Sequence, residues 1–328
     1  MNRNRKLIYP VLIITLLLVA ILSLTLGAER IDIVKAMKDI ANGIQSADSR
    51  ILLFARIPRT LSGILAGCAL GASGAMIQSV LSNSLASPST IGVNSGAGLA
   101  VAIFASIFPE ALMLVPLASL IGAFLGAMLV LSIGEHTSSS RMGLVLAGVA
   151  ISAIFSAGID TVLTFAPDAL NGYSDFRIGG LSGITMKNLF PAAPIILVSL
   201  AISLLLHNEL DVLQLGMDES RTLGLPARKL RIIFLALSAA MAGSAISFSG
   251  LIGFVGLVVP HIMREFVGEE SGPLIITSAL GGAVLLMGSD LLSRIIFAPF
   301  ELPVGILMAL IGGPFFIYLL RKRGRAHD

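Results

Sequence analysis

The sequence predicts an all-α integral membrane protein with about ten transmembrane helices. Only 12% of its 328 residues are charged, against about 25% in soluble domains. Its mean hydropathy is +0.94. Apolar runs of spanning length, about 20 residues, recur at 7–27, 57–81, 92–108, 111–133, 142–166, 189–206, 232–250, 254–267, 273–293 and 304–320. Residues 1–328 read as one transmembrane domain. The 34 glycines suit helices that pack through small residues in lipid. A net charge of +3 without basic patches interleaved with aromatics gives no reason to expect a nucleic-acid partner. The single cysteine, Cys68, lies in an apolar run, allows no intrachain disulfide and reads as a packing residue.

The first run follows Arg3, Arg5 and Lys6 and is long enough to be a retained helix and not a signal segment. Both chain ends are basic, the last being Arg321-Lys322-Arg323-Gly324-Arg325. An even number of spans puts both ends in the cytoplasm, in keeping with the positive-inside rule. Residues 28–50 carry Ile31, Val34 or Lys35, and Lys38 at helical spacing, with Gly43 as a stop. They predict a short amphipathic helix on the outer surface.

The second span opens at Arg56-Ile57-Pro58-Arg59. Proline suits a first helical turn, but two arginines there oppose the helix dipole. Headgroup contacts or a pairing acid explain them on one reading, and a docking site for an acidic partner on the other. Gly63, Gly67 and Gly71 recur every fourth residue and predict close helix packing. The span ends in a polar turn, Ser82-Asn83-Ser84-Leu85-Ala86-Ser87-Pro88, which is either a plain cytoplasmic loop or part of a gate.

The third, sixth, eighth and tenth runs are short, so broken or shallow spans are expected there. Glu135, His136, Ser138, Ser139, Ser140 and Arg141 precede the fifth, and Asp160 sits at its outer end, at the interface. Residues 167–188 form an outer loop with Asp168, Asp175, Arg177 and Lys187. Between the sixth and seventh runs lies the longest charged interruption, 207–231, with Glu209, Asp211, Asp218, Glu219, Arg221, Arg228, Lys229 and Arg231. Such charges are expelled from hydrocarbon. The interspersed Leu213, Leu215, Met217, Leu223 and Leu225 predict a short helical hairpin gripped by a soluble partner, with a solvated connector as the plainer alternative. Later, Asp290 and Arg294 stand at the spacing of a helical ion pair. Ala69–Gly74 before Pro88 weakly resembles Ala245–Gly250 before Pro260, which suggests an inverted repeat.

No span carries paired ionisable groups near its centre, which argues against an ion-coupled secondary transporter. No Walker A, HExxH or Ser-His-Asp pattern points to an enzyme. The four histidines share no metal-ligand spacing.

Several long motifs, in order, resemble one family. RIPRTLSGILAGCALGASGAMIQSVLSNSLASPSTIGVNSGAG, GLIGFVGLVVPHIMR, SDLLSR and ELPVGILMALIGGPFFIYLL are similar to the FecCD-type permeases of iron-chelate and vitamin B12 ABC importers. The resemblance runs from about residue 50 to the C-terminus. It implies a ten-helix, vitamin B12-importer-like permease in a bacterial or archaeal cytoplasmic membrane, with no chemistry of its own and no bound cofactor. The implied partners are a second permease copy (identical or paralogous), two ATPase subunits that hold ATP and Mg, and an extracytoplasmic substrate-binding protein.

By position, the resemblance assigns Leu213, Leu215, Gly216, Met217, Asp218, Glu219, Leu223 and Gly224 to coupling with the ATPase. It assigns Arg56, Arg59 and Arg294 to docking of the binding protein. Asn83 and Leu85, with Ser138, Ser139 and Ser140 beside them, fall near the cytoplasmic gate. The implied cargo is an iron chelate, foremost a ferric siderophore, with cobalamin or heme as the alternative. Two departures stand out. Ser84 replaces the proline usual in the family turn, and Arg177-Ile178-Gly179-Gly180 stands where an outer-loop Trp is usual; the chain has no Trp.

Overall fold

The computed structural model describes residues 3–27, 29, 31–137, 141–296, 298 and 300–324. Its helices are α1 (Arg3–Thr25), α2 (Ile33–Ala41), α3 (Ala47–Ile51), α4 (Ile57–Leu81), α5 (Val93–Ile107), α6 (Val115–Thr137), α7 (Arg141–Phe165) and α8 (Ala169–Ile178). They continue as α9 (Met186–Leu205), α10 (His207–Leu215), α11 (Met217–Thr222), α12 (Ala227–Ser249), α13 (Val255–Val267), α14 (Ser271–Ile295) and α15 (Val304–Gly324). No strand occurs among the described residues. The ten expected runs map onto α1, α4, α5, α6, α7, α9, α12, α13, α14 and α15. Seven of these segments are long and apolar enough to cross a membrane alone. Of the four runs expected to be short, α9 reaches full length, whereas α13 has 13 residues, about 20 Å at 1.5 Å per residue.

Helices α4, α12 and α14 are the most buried and form the centre of the bundle, while α1, α7 and α9 turn apolar faces outward. The glycine stripe of α4 explains the tightest contact. A Cβ on Gly67 would fall onto the Gly282 carbonyl and within 2.6 Å of the Ala283 Cα, and one on Gly71 would meet the Ser278 carbonyl. Only glycine lets α4 and α14 approach backbone to backbone. The two helices therefore run side by side as one unit.

The start of α4 corrects the sequence reading. Pro58 does not open a helix: α3 continues through a π-helical turn, Leu52–Arg56, into α4. Helical backbone thus begins at Ala47, and a wide π turn lies just before the proline ring, where a regular ladder would be obstructed. Arg56 and Arg59 consequently do not face a bare helix N-terminus, so the dipole argument does not apply to them. The amphipathic helix is present as α2, capped by the Asp32 carboxylate, which accepts from the Lys35 N–H at 3.0 Å. Its buried contact is Ala36, while Val34, Lys35 and Lys38 are exposed.

Side-chain and loop contacts sort the connections into two ends. At one end α8, the α12–α13 break and the start of α15 are stitched by backbone bonds, Gly180 N–H to Ser249 O (2.8 Å), Leu251 N–H to Phe176 O (2.9 Å) and Gly305 N–H to Gly179 O (3.1 Å). These bonds explain the glycine half of the unusual loop sequence, Gly179-Gly180. Gly179 has φ +71° and lies against the Leu251 carbonyl, a place where a side chain would be strained and would clash. At the other end lie the turn after α4, the α10–α11 pair and the α13–α14 junction. This alternation is the one an even number of crossings requires.

Candidate functional site

Two places stand out, one at each end. The first gathers the three singled-out arginines. Arg56 is buried and donates from Nη1 to Leu24 O and from Nη2 to Glu29 O, both at 2.6 Å. Arg59 grips the Asp290 carboxylate through Nε (3.0 Å) and Nη2 (2.9 Å) and reaches Glu301 Oε2 with Nη1 at 2.6 Å. Arg294 pairs with Asp290 Oδ2 at 3.2 Å and donates to Ser23 Oγ at 2.8 Å. Ser23 in turn shares a 2.8 Å hydrogen bond with Thr60. The expected i,i+4 ion pair is real, but it is one edge of a network that binds α1, α4, α14 and the α14–α15 loop together. Asp290 is 2% and Arg294 3% exposed.

All three arginines line one cavity of about 380 Å³, together with Glu29, Glu301 and the Ser182–Ile184 loop. A second cleft of about 520 Å³ shares Arg59, Ser182 and Glu301, and its walls include Asp175, Phe176, the Ile178–Leu181 segment and Ser247–Gly250. The Arg59–Glu301 bridge therefore stands between two concavities. Beside them burial pushes the Tyr173 phenol up, Arg177 partly offsets this, and Asp160 adds to it. Asp160 itself is exposed, as expected.

The second place is the opposite end. The predicted hairpin exists as α10 and α11, joined at Gly216, whose φ of +140° makes the corner. The apolar teeth divide by direction. Leu213 is buried with Leu210, and Met217 and Leu225 pack partly against the core, whereas Leu215 and Leu223 are both 63% exposed. Asp218, Glu219 and Gly224 are also exposed. Ser220 donates to Val212 O (2.9 Å) and fixes the two helices against each other. The expectation that every charge of 207–231 faces water is corrected at Arg231, which is 1% exposed, because α12 begins at Ala227 and carries it into the bundle.

The turn after α4 adjoins this pair. Ser82 takes a left-handed conformation (φ 42°) and donates from Oγ to Gln214 O at 3.3 Å. Asn83 Oδ1 accepts from Leu85 N–H at 3.0 Å, which closes the turn around Ser84. Asn83 and Leu85 are half-buried. Ser138, Ser139 and Ser140 lie outside the described residues. Sequence reasoning missed three partners: Asp211 and Gln214 on α10, and Gln78, which accepts from Arg264 Nη1 at 2.9 Å. A lone Gln in an apolar run was the available signal for the last. Among the described residues no cluster of His, Cys, Asp and Glu could hold a metal.

Comparison with known proteins agrees with this architecture. The family model described as the FecCD transport family matches residues 15–322. The Fe(3+)-citrate import system permease protein YfmE of Bacillus subtilis is 35% identical, covering 96% of this chain and 95% of its own. The hemin transport system permease protein HmuU of Yersinia pestis is 36% identical, covering 96% and 97%. A solved structure described as an inward-facing metal-chelate type ABC transporter superposes with a TM-score of 0.84 at 27% identity, covering 97% of this chain and 99% of that one. With the helices in the expected order and the match nearly end to end, this chain is a multi-pass membrane protein that belongs to the FecCD transport family.

Proposed function

We propose that this chain, a permease subunit by its family, works in an ATP-driven importer and carries a ferric chelate inward by alternating access. The observation that carries the reading is the α10–α11 pair. Leu215 and Leu223 protrude between the apolar spans among Asp218, Glu219 and Arg221, where the chain's own core does not cover them. Exposed apolar side chains rimmed by charge suit a soluble partner. In this reading an ATPase subunit docks there, holding ATP and Mg, and this chain binds no cofactor.

That end and both termini then face the cytoplasm, in line with the positive-inside rule. The opposite end faces outward, and its arginine-lined cavity receives acidic side chains of a substrate-binding protein. Asn83 and Leu85 form part of the inner gate. A second permease copy completes the pathway. The separately named FecD and FecC permeases of the Escherichia coli Fe(3+) dicitrate system make a paralogous partner as reasonable as an identical one. The iron chelate is supported by relatives named for Fe(3+)-citrate, hemin and ferric enterobactin, each matched over nearly the whole chain.

The test is co-purification of the ATPase with the full-length chain carrying Leu215→Glu and Leu223→Glu. A monodisperse variant that loses the ATPase supports the reading. Undiminished capture, with undiminished ATP-driven uptake, refutes it.

A further inference from the structure

Helix α10 does more than present a surface; it is bolted to the centre of the bundle. The Asp211 carboxylate accepts from the backbone N–H of Ser271, the first residue of α14, at 2.7 Å. A helix start leaves such N–H groups without partners in its own helix, and an anion there is favoured by the dipole. Usually the capping group comes from the residue just before the helix; here Glu270 makes no side-chain cap and the acid comes from 60 residues away. Gln214, one turn on, donates from Nε2 to Ser271 Oγ at 2.7 Å and to Glu269 O at 3.4 Å. Its backbone carbonyl accepts from Ser82, the residue that caps the C-terminus of α4 and leads into the Asn83–Leu85 turn. Packing tightens the joint: a Cβ on Gly272 would come within 2.8 Å of the His207 ring.

The helices so joined are α4 and α14, which lie backbone to backbone at Gly67 and Gly71. At their far ends Arg59 and Asp290 tie them again. The pair is thus a single strut running from α10 to the arginine network.

We propose that Asp211 and Gln214 are the positioning residues that pass movement of α10 to the α4–α14 strut, and through Ser82 to the adjoining turn. The inference rests on the reading of α10–α11 as the ATPase-docking element. Without the joint, the ATPase still binds and hydrolyses ATP, but its movement is not delivered to the pathway.

The experiment uses the complete transporter, with ATPase and binding protein, in proteoliposomes. The cargo is ferric citrate, ferric enterobactin or hemin, whichever the wild type accumulates. Uptake and ATP hydrolysis are measured together for wild type, Asp211→Ala, Asp211→Asn and Gln214→Ala. Asp211→Ala is expected to keep the ATPase bound and to lower cargo moved per ATP severalfold, because α14 loses the group that caps its start. Asp211→Asn keeps an oxygen for the Ser271 N–H and is expected to restore most of that ratio. Gln214→Ala, which leaves the cap in place, gives a smaller fall in the same direction and carries the test should Asp211→Ala not fold. An unchanged ratio in the folded alanine variants overturns the proposal, as does an equal loss in Asp211→Asn. Loss of ATPase binding by these variants also overturns it, since the residues would then serve docking. Wild-type uptake without the ATPase refutes the underlying reading instead, and is seen before any variant is made.

Discussion

Asp290→Ala is expected to loosen the bundle at its arginine-rich end. The carboxylate is 2% exposed and shared by two guanidiniums, Arg59 at 2.9 Å and Arg294 at 3.2 Å. Removing it leaves Arg294 buried and hydrogen-bonded only to neutral groups, Ser23 and backbone carbonyls. Removing one partner of a buried pair costs about 3–5 kcal/mol. Arg59 retains Glu301, whose side chain is 30% exposed, so the lower end of that range, about 3 kcal/mol, is expected. The assay is thermal: purified protein in detergent is heated, and the fraction that remains monodisperse is followed. The paired variant Asp290→Ala with Arg294→Met should recover part of the loss, because the stranded charge is gone. A single variant as stable as wild type, or a double variant whose loss equals the sum of the two singles, would refute the view that this network holds α1, α4 and α14 together.

Three further outcomes are expected. Gly67→Leu should prevent recovery of folded protein, since its side chain would displace the α14 backbone at Gly282; a monodisperse, active Gly67→Leu protein in membranes would contradict the packing. Charge reversal at Arg56 and Arg59, followed in protein shown to be monodisperse because Arg59 also holds Asp290 and Glu301, should slow association of the binding protein by about tenfold or more at low salt and flatten its salt dependence, as measured by surface-immobilised binding kinetics. Normal association by that variant would count against the docking role. Asn83→Ala removes the side-chain acceptor for Leu85 N–H and should leave thermal stability within about 1 kcal/mol while altering uptake; unchanged uptake would separate this turn from the gate.

Composition and apolar periodicity made the helix order legible, because a chain in lipid must satisfy its backbone internally and can do so only by helices here. The Gly63–Gly71 stripe was readable for the same reason: small residues at fixed spacing have one main use in a membrane bundle. The start of α4 was not readable, since Pro58 is a start signal in isolation and only the preceding π turn makes it an interior residue. The arginine network was half-legible. Asp290 and Arg294 announce each other at i,i+4, but Arg59 joins them across 231 positions, and nothing local marks that contact. Asp211 illustrates the same limit: in sequence it is one more charge in a polar loop, and only the fold makes it the cap of α14.

ATP-dependent uptake in vesicles that contain this chain, its ATPase and its binding protein tests the central claim most directly. A panel of ferric siderophores, ferric citrate, hemin and cobalamin would be offered. The account predicts accumulation of an iron chelate that stops when the ATPase is omitted or ATP is withheld. Accumulation driven by an ion gradient, with no ATPase present, would contradict it and leave α10–α11 a solvated connector.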